Sequence, residues 1–174
     1  MKDLLKEGPF YVPNVFMWFP YVRGTLSMFE RPSSGQVPGL FVYAIRAHYY
    51  TSAVGDDQRL TELEEQMWQV GFTPRVYKKF AGNERTKGVD IGLATEFLSN
   101  AFQDNYGTAV LVAGDADYVP MVREVKRLGK RVYVAFFERS GLNPKLRREC
   151  DYFFELEDSF RRRWANYQPG LPLP

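Results

Sequence analysis

From residue 40 onward, short β-rich runs alternate with segments of helical period, and this alternation constrains the fold more than any other feature. Leu40 to Tyr50 (LFVYAIRAHYY) is a β-rich run between Pro38-Gly39 and Gly55. Leu60, Leu63, Met67 and Val70 follow at helical spacing, and Gly71 is a stop signal. Phe72 to Phe80 reads as a second strand, with Pro74 near its beginning, where a missing N–H is tolerated. Val89 to Phe102 reads as a helix carrying Val89, Leu93 and Phe97 on one side. Thr108 to Ala113 (TAVLVA) is a continuous apolar run, as expected of a strand buried on both faces. Val119, Val122, Val125 and Leu128 trace a helix ended by Gly129. Arg131 to Phe137, Pro144 to Arg148 and Tyr152 to Leu156 then read as strand, short helix and strand. This order predicts an α/β fold with a mostly parallel sheet and helices on both faces. Ligands of such sheets bind beyond the carboxyl ends of the strands.

The flanks differ from this body. Residues 1–39 form an irregular segment in which Pro9, Pro13, Pro20, Pro32 and Pro38 are interleaved with aromatics, after a helix end at Asp3 to Glu7. Residues 40–158 form the α/β domain, and 159–174 a basic, proline-containing tail with Arg161, Arg162 and Arg163. Of the 174 residues, 45% are hydrophobic and 16% aromatic, which excludes a wholly disordered chain. No apolar run approaches the roughly 18 residues of a membrane span. Asp3 and Glu7 make the N-terminus unlike a secretory signal, so a reduced cytoplasmic setting is expected. With Cys150 and His48 the sole members of their types, internal disulfides, Cys/His metal sites and most Ser-His-acid arrangements are excluded. The net charge is +2, and the arginine triplet accounts for more than that, so any nucleic-acid footprint is local.

The candidate chemistry therefore rests on carboxylates. Gly114-Asp115-Ala116-Asp117 follows the buried strand directly, and two acids at the mouth of a parallel sheet are costly unless a cation or free N–H donors offset them. A plain alternative makes Asp117 the N-cap of the next helix and Asp115 a loop acid. Asp90 lies in the first turn of its helix, where the macrodipole favours an acid. Glu96 falls on the apolar side of that helix and requires a partner. Asp56 and Asp57 suit capping, and Asp151 a structural role. Oxygen donors alone point to Mg²⁺ or Mn²⁺, acting on a phosphodiester. Lys78, Lys79, Arg85 and Lys87 flank Asp90, while His48, Tyr49 and Tyr50 end a neighbouring strand. Lysines on phosphates with tyrosines under bases would grip single-stranded RNA, although the same cations also fit an ordinary solvated face.

Three stretches carry a family resemblance: Lys87-Gly88-Val89-Asp90-Ile91, Ala113-Gly114-Asp115-Ala116-Asp117-Tyr118-Val119-Pro120 and Leu128-Gly129-Lys130-Arg131-Val132. Together they resemble the NYN domain, in its LabA-like branch of the PIN-like nucleases, over about residues 40 to 158. The resemblance implies a three-layer α/β/α fold and a Mg²⁺- or Mn²⁺-dependent ribonuclease. Asp90, Asp115 and Asp117 would be its catalytic and metal-site acids, with Glu96 at a metal position where the pattern usually has Asp. Lys87, Arg85, Lys79 and Tyr50 would contact RNA. Ala113 stands where the pattern has a small hydroxyl residue. The pattern opens with a strand ending in Asp-Gly-x-Asn, and nothing here matches it, so the chain is expected to begin about one strand late. Lacking that acid, the enzyme would be impaired. The rival expectation is an inactive RNA-binding or protein-interaction module with the same fold. A Toprim-like domain ranks last, because residues 40–50 offer no glutamate. No membrane partner is expected, and association into a homo-oligomer is left open.

Overall fold

The computed structural model describes residues 11–12, 15–16, 46–69, 72–79 and 88–156. They divide between two compact units, residues 1–89 with 167–174, and residues 90–166. The expected helix at 3–7, the basic tail, and Arg85 and Lys87 lie outside the described residues. In the first unit Tyr11–Val12 (β1) pairs antiparallel with Val15–Phe16 (β2), a local pairing within the segment expected to be irregular.

The body of that unit is a β-α-β turn of chain. Strand β3 (His48–Ala53) and strand β4 (Thr73–Lys78) run parallel, with His48 opposite Thr73 and Ala53 opposite Lys78. Helix α1 (Asp57–Gln69) joins them. Its Leu63 and Met67 are fully buried with Ala53 and Phe72, and Leu60, Tyr49 and Val76 pack around them. Burying a leucine or methionine contributes about 1.5–3 kcal/mol, so these positions hold the helix to its strands. Residues 40–45 of the β-rich run lie outside the described residues; of the rest, Arg46 and Ala47 precede the strand, and Thr51-Ser52-Ala53 extends it beyond Tyr50, opposite residues 76–78 of β4. Tyr50 is therefore the third residue of β3, not its end. Pro74 sits second in β4, where a missing donor costs least.

The second unit holds a three-stranded parallel sheet in the order β5 (Thr108–Leu111), β6 (Arg131–Phe136), β7 (Tyr152–Glu155). Helix α2 (Val89–Phe102) precedes it, α3 (Val119–Arg127) joins β5 to β6, and α4 (Pro144–Glu149) joins β6 to β7. Leu111, Val132 and Val134 share one core with Val122 and Val125 of α3, Leu146 of α4 and Ala101 of α2. Alternation along β6 explains the sidedness: Val132 and Val134 are fully buried, while Arg131 is exposed. Gly129 ends α3 at φ +76°, a left-handed residue that lets the following Lys130 N–H reach the Val125 carbonyl at 3.3 Å. Asp151 is structural as expected: its Oδ2 accepts the Val132 N–H at 2.8 Å, and Lys126 pairs with it at 3.2 Å. The chain is thus α/β, with parallel strands joined by helices, as the alternation of its sequence predicts.

Candidate active site

The apolar strand β5 stops at Leu111, and its carboxyl end opens into a cleft of about 680 Å³ lined by Asp90, Asp115, Tyr118, Phe136, Asn143 and neighbouring backbone. Gly114 makes this corner possible. A Cβ there would lie 2.7 Å from the Gly141 carbonyl oxygen and closer still to the Phe136 ring, so only hydrogen leaves room for both. The Gly114 carbonyl in turn accepts the Asn143 N–H at 2.8 Å, tying the loop after β6 to the loop after β5. Asn143 also caps α4, its Oδ1 accepting the Lys145 N–H at 2.9 Å ahead of Pro144.

The capping roles of the Asp-x-Asp pair are the reverse of the plain alternative. Asp115 is the cap: with φ −80° and ψ 140°, its Oδ1 accepts the Asp117 N–H at 3.0 Å and starts a 3₁₀ turn, Ala116–Tyr118. A single carboxylate two residues before a free N–H is enough to divert the chain into this tighter turn before α3 begins. One Asp115 oxygen is spent on the cap, and its side chain still lines the cleft.

Asp90 comes from the first turn of α2 and meets this corner through Tyr118. The Tyr118 hydroxyl donates to Asp90 Oδ1 at 2.5 Å, a charge-assisted bond joining positions 28 apart in sequence. Tyr118 is 8% exposed. Burial, above all, pushes its phenol well above the ordinary value, and the hydrogen bond to Asp90 and the charges of Asp90, Asp115 and Asp117 push it the same way. All three sequence-named aspartates therefore bear on one hydroxyl. Among the described residues none of them has a basic partner.

The remaining candidates are divided between the two units. Glu96 sits six residues beyond Asp90 on α2, about 9 Å along the helix axis and turned away from it, and does not line the cleft. In the first unit, Tyr50 stacks its ring with His48 at 6.3 Å and lies opposite Arg75. Lys79 follows β4, its N–H bonded to the Ala53 carbonyl at 2.8 Å. Tyr118 and Asn143 are the site residues that residue patterns alone did not single out. An Asn-Pro pair ahead of a short helix is a usable cap signal for Asn143, whereas nothing local reveals the partner of Tyr118.

The donor set suits a hard divalent cation in kind, since it is made of carboxylate oxygens alone. Among the described residues no three acids, histidines or cysteines converge closely enough to hold an ion between them. Mg²⁺ commonly keeps several waters and takes only one or two carboxylates with substrate phosphate, a demand that Asp90 and Asp115 fit. No described helix is long and apolar enough to cross a membrane.

Comparison with known proteins bears on the family and the fold. The uncharacterised protein MJ0482 of Methanocaldococcus jannaschii is 30% identical over 100 residues, 58% of this chain and 38% of that protein. The chain thus spans well under half the length of that relative. The crystal structure of VPA0982, a protein of unknown function from Vibrio parahaemolyticus, shares the fold, with a TM-score of 0.53 over 66% of this chain and 70% of the other at 21% identity. The family model for the NYN domain matches residues 21–157, reaching into the proline-rich segment ahead of residue 40. The chain belongs to the NYN domain family, and through it to the PIN-like nuclease superfamily.

Proposed function

We propose that this protein is a Mg²⁺- or Mn²⁺-dependent ribonuclease of the LabA-like branch, acting in the cytoplasm on single-stranded RNA. One observation carries the reading: Asp90 and Asp115, from separate stretches of chain, line one cleft at the carboxyl end of a parallel strand without a basic partner among the described residues. A purely structural acid pair is normally neutralised, so uncompensated charge in a cleft favours a cationic ligand.

Asp90 and Asp115 would hold the ion. When bound, it would lower the pKa of a water and stabilise charge on the scissile phosphate. Tyr118 keeps Asp90 in one orientation, leaving Oδ2 for the cleft. The cap leaves one Asp115 oxygen uncommitted. Asp117, exposed beside them, adds negative potential that attracts cations. Phe136, Leu142 and Pro144 give the cleft an apolar wall.

The absence of a three-member ligand cluster among the described residues favours a second reading, an inactive RNA-binding or protein-interaction module. The two separate on cleavage of a fluorescent single-stranded RNA with Mn²⁺ or with EDTA, by the wild type and by Asp90→Asn/Asp115→Asn. The expected result is Mn²⁺-dependent cleavage by the wild type alone. Cleavage by both proteins alike, or by neither, removes the ribonuclease reading.

A further inference from the structure

The cations of α3 and α4 fall into two groups. On α3 each has an acidic partner: Arg123 with Glu149 at 2.9 Å, Arg127 with Glu124 at 2.9 Å, and Lys126 with Asp151 at 3.2 Å. On α4, Lys145, Arg147 and Arg148 are exposed, and among the described residues none has an acid. Arg147 is instead fixed by an aromatic ring, its guanidinium 4.6 Å above the centre of Phe153. Between these two helices, the unbalanced charge therefore lies on α4.

That helix starts at the cleft. Asn143 and Pro144 line it, Leu146 faces the core at 0% exposure, and Arg148 follows Pro144 by four residues, one turn along the same outer face. Lys145 and Arg147 flank that face on either side. Glu149, the acid of α4, turns to Arg123 instead. A row of cations thus leads from the rim that Pro144 shares with Asp115 away along α4.

We infer that Lys145, Arg147 and Arg148 form a phosphate track that holds the backbone of single-stranded RNA on one side of the acidic cleft. The inference rests on the ribonuclease reading for its partner, but the track itself follows from the charge arrangement. A polyanion satisfies the row with one phosphate per cation and keeps its own charge away from Asp90 and Asp115 except at the phosphate entering the cleft. Arg147, held on Phe153, offers its guanidinium without first being ordered.

The test is equilibrium binding of a fluorescent single-stranded RNA in EDTA, which excludes turnover, at several salt concentrations. Lys145→Gln/Arg148→Gln is compared with Arg123→Gln/Arg127→Gln, which removes the same formal charge from α3. Each phosphate contact contributes about 0.7 to the log–log salt slope for single strands, so the α4 pair should lower the slope by about 1.4. Its affinity should fall about tenfold or more, and that of the α3 pair by less than about threefold. Equal losses in both pairs, no loss in the α4 pair, no RNA binding by the wild type, or tighter binding of polyglutamate than of RNA would each overturn the inference. A wild type that binds through α4 but cleaves nothing keeps the track and removes the ribonuclease. One that cleaves with Mn²⁺ while the α4 pair binds normally does the opposite.

Discussion

Two strand-to-helix corners of this chain are written in similar letters and behave differently. After β3 come Gly55-Asp56-Asp57, and after β5 come Gly114-Asp115-Ala116-Asp117. At the first corner both acids are satisfied. Asp56 accepts the Arg59 N–H at 2.9 Å as the cap of α1, and Asp57 pairs with Lys78 at 2.6 Å, which holds its carboxyl below the usual range. At the second corner one oxygen is used by the cap, and a third acid, Asp90, joins the pair in place of a lysine. Acidic residues after a strand are thus not informative by themselves. What distinguishes a site from a cap is whether the surrounding chain neutralises the charge or adds to it.

The largest contrast should appear in activity. Replacing both acids at the β5 corner, as Asp115→Asn/Asp117→Asn, should reduce Mn²⁺-dependent RNA cleavage more than about 100-fold, beyond the usual effect of groups behind metal ligands. Asp56→Asn/Asp57→Asn should leave it within about threefold, and a comparable loss there would erase the distinction. Next in size is Gly114→Ala. The added methyl has nowhere to go between Phe136 and the Gly141 carbonyl, and about 1–3 kcal/mol of stability should be lost in urea unfolding.

Asp56→Ala removes a cap and should cost about 1 kcal/mol by the same measurement, with cleavage unchanged. A smaller effect should follow pH. The Tyr118 phenol is raised above its unfolded value of 10.0, so its contribution is complete below pH 10 and is lost as pH rises through the folded value. Tyr106, pushed up to about 12 by burial, acts in the same direction. Stability followed upward from pH 9 should therefore fall less steeply in Tyr118→Phe than in the wild type, and identical curves would show that burial and Asp90 do not raise the phenol. The smallest response belongs to Asp57→Asn alone: its exposed pair with Lys78 is screened by salt, and unfolding in 0.5 M NaCl should not separate it from the wild type.

Much of this was legible in the sequence. Helix α2 runs from Val89 to Phe102 as its periodicity implies, and β6, α4 and β7 fall within a residue of expectation, because Gly129, Pro144 and alternating apolar residues mark them locally. Residues 40–45 of the run Leu40 to Tyr50 lie outside the described residues; among those described, β3 starts at His48, after Arg46 and Ala47, where its register with β4 begins. The acids at the end of β5 were legible as types, since a buried strand followed by Gly-Asp is a local pattern. Which of them caps was not, because Asp115 and Asp117 differ only in the turn the backbone adopts between them. Nor was Tyr118, whose partner lies in another helix. Glu96 shows the limit from the other direction: helical spacing places it on a face, but not in the cleft.

The bond from the Tyr118 hydroxyl to Asp90 makes the acidic centre a tertiary product, assembled from two separate segments of chain. Neither the α2 segment nor the β5–α3 segment holds it alone. A partly assembled chain would carry the same aspartates at separate addresses. The contact thus doubles as a report that these two segments of the second unit have met.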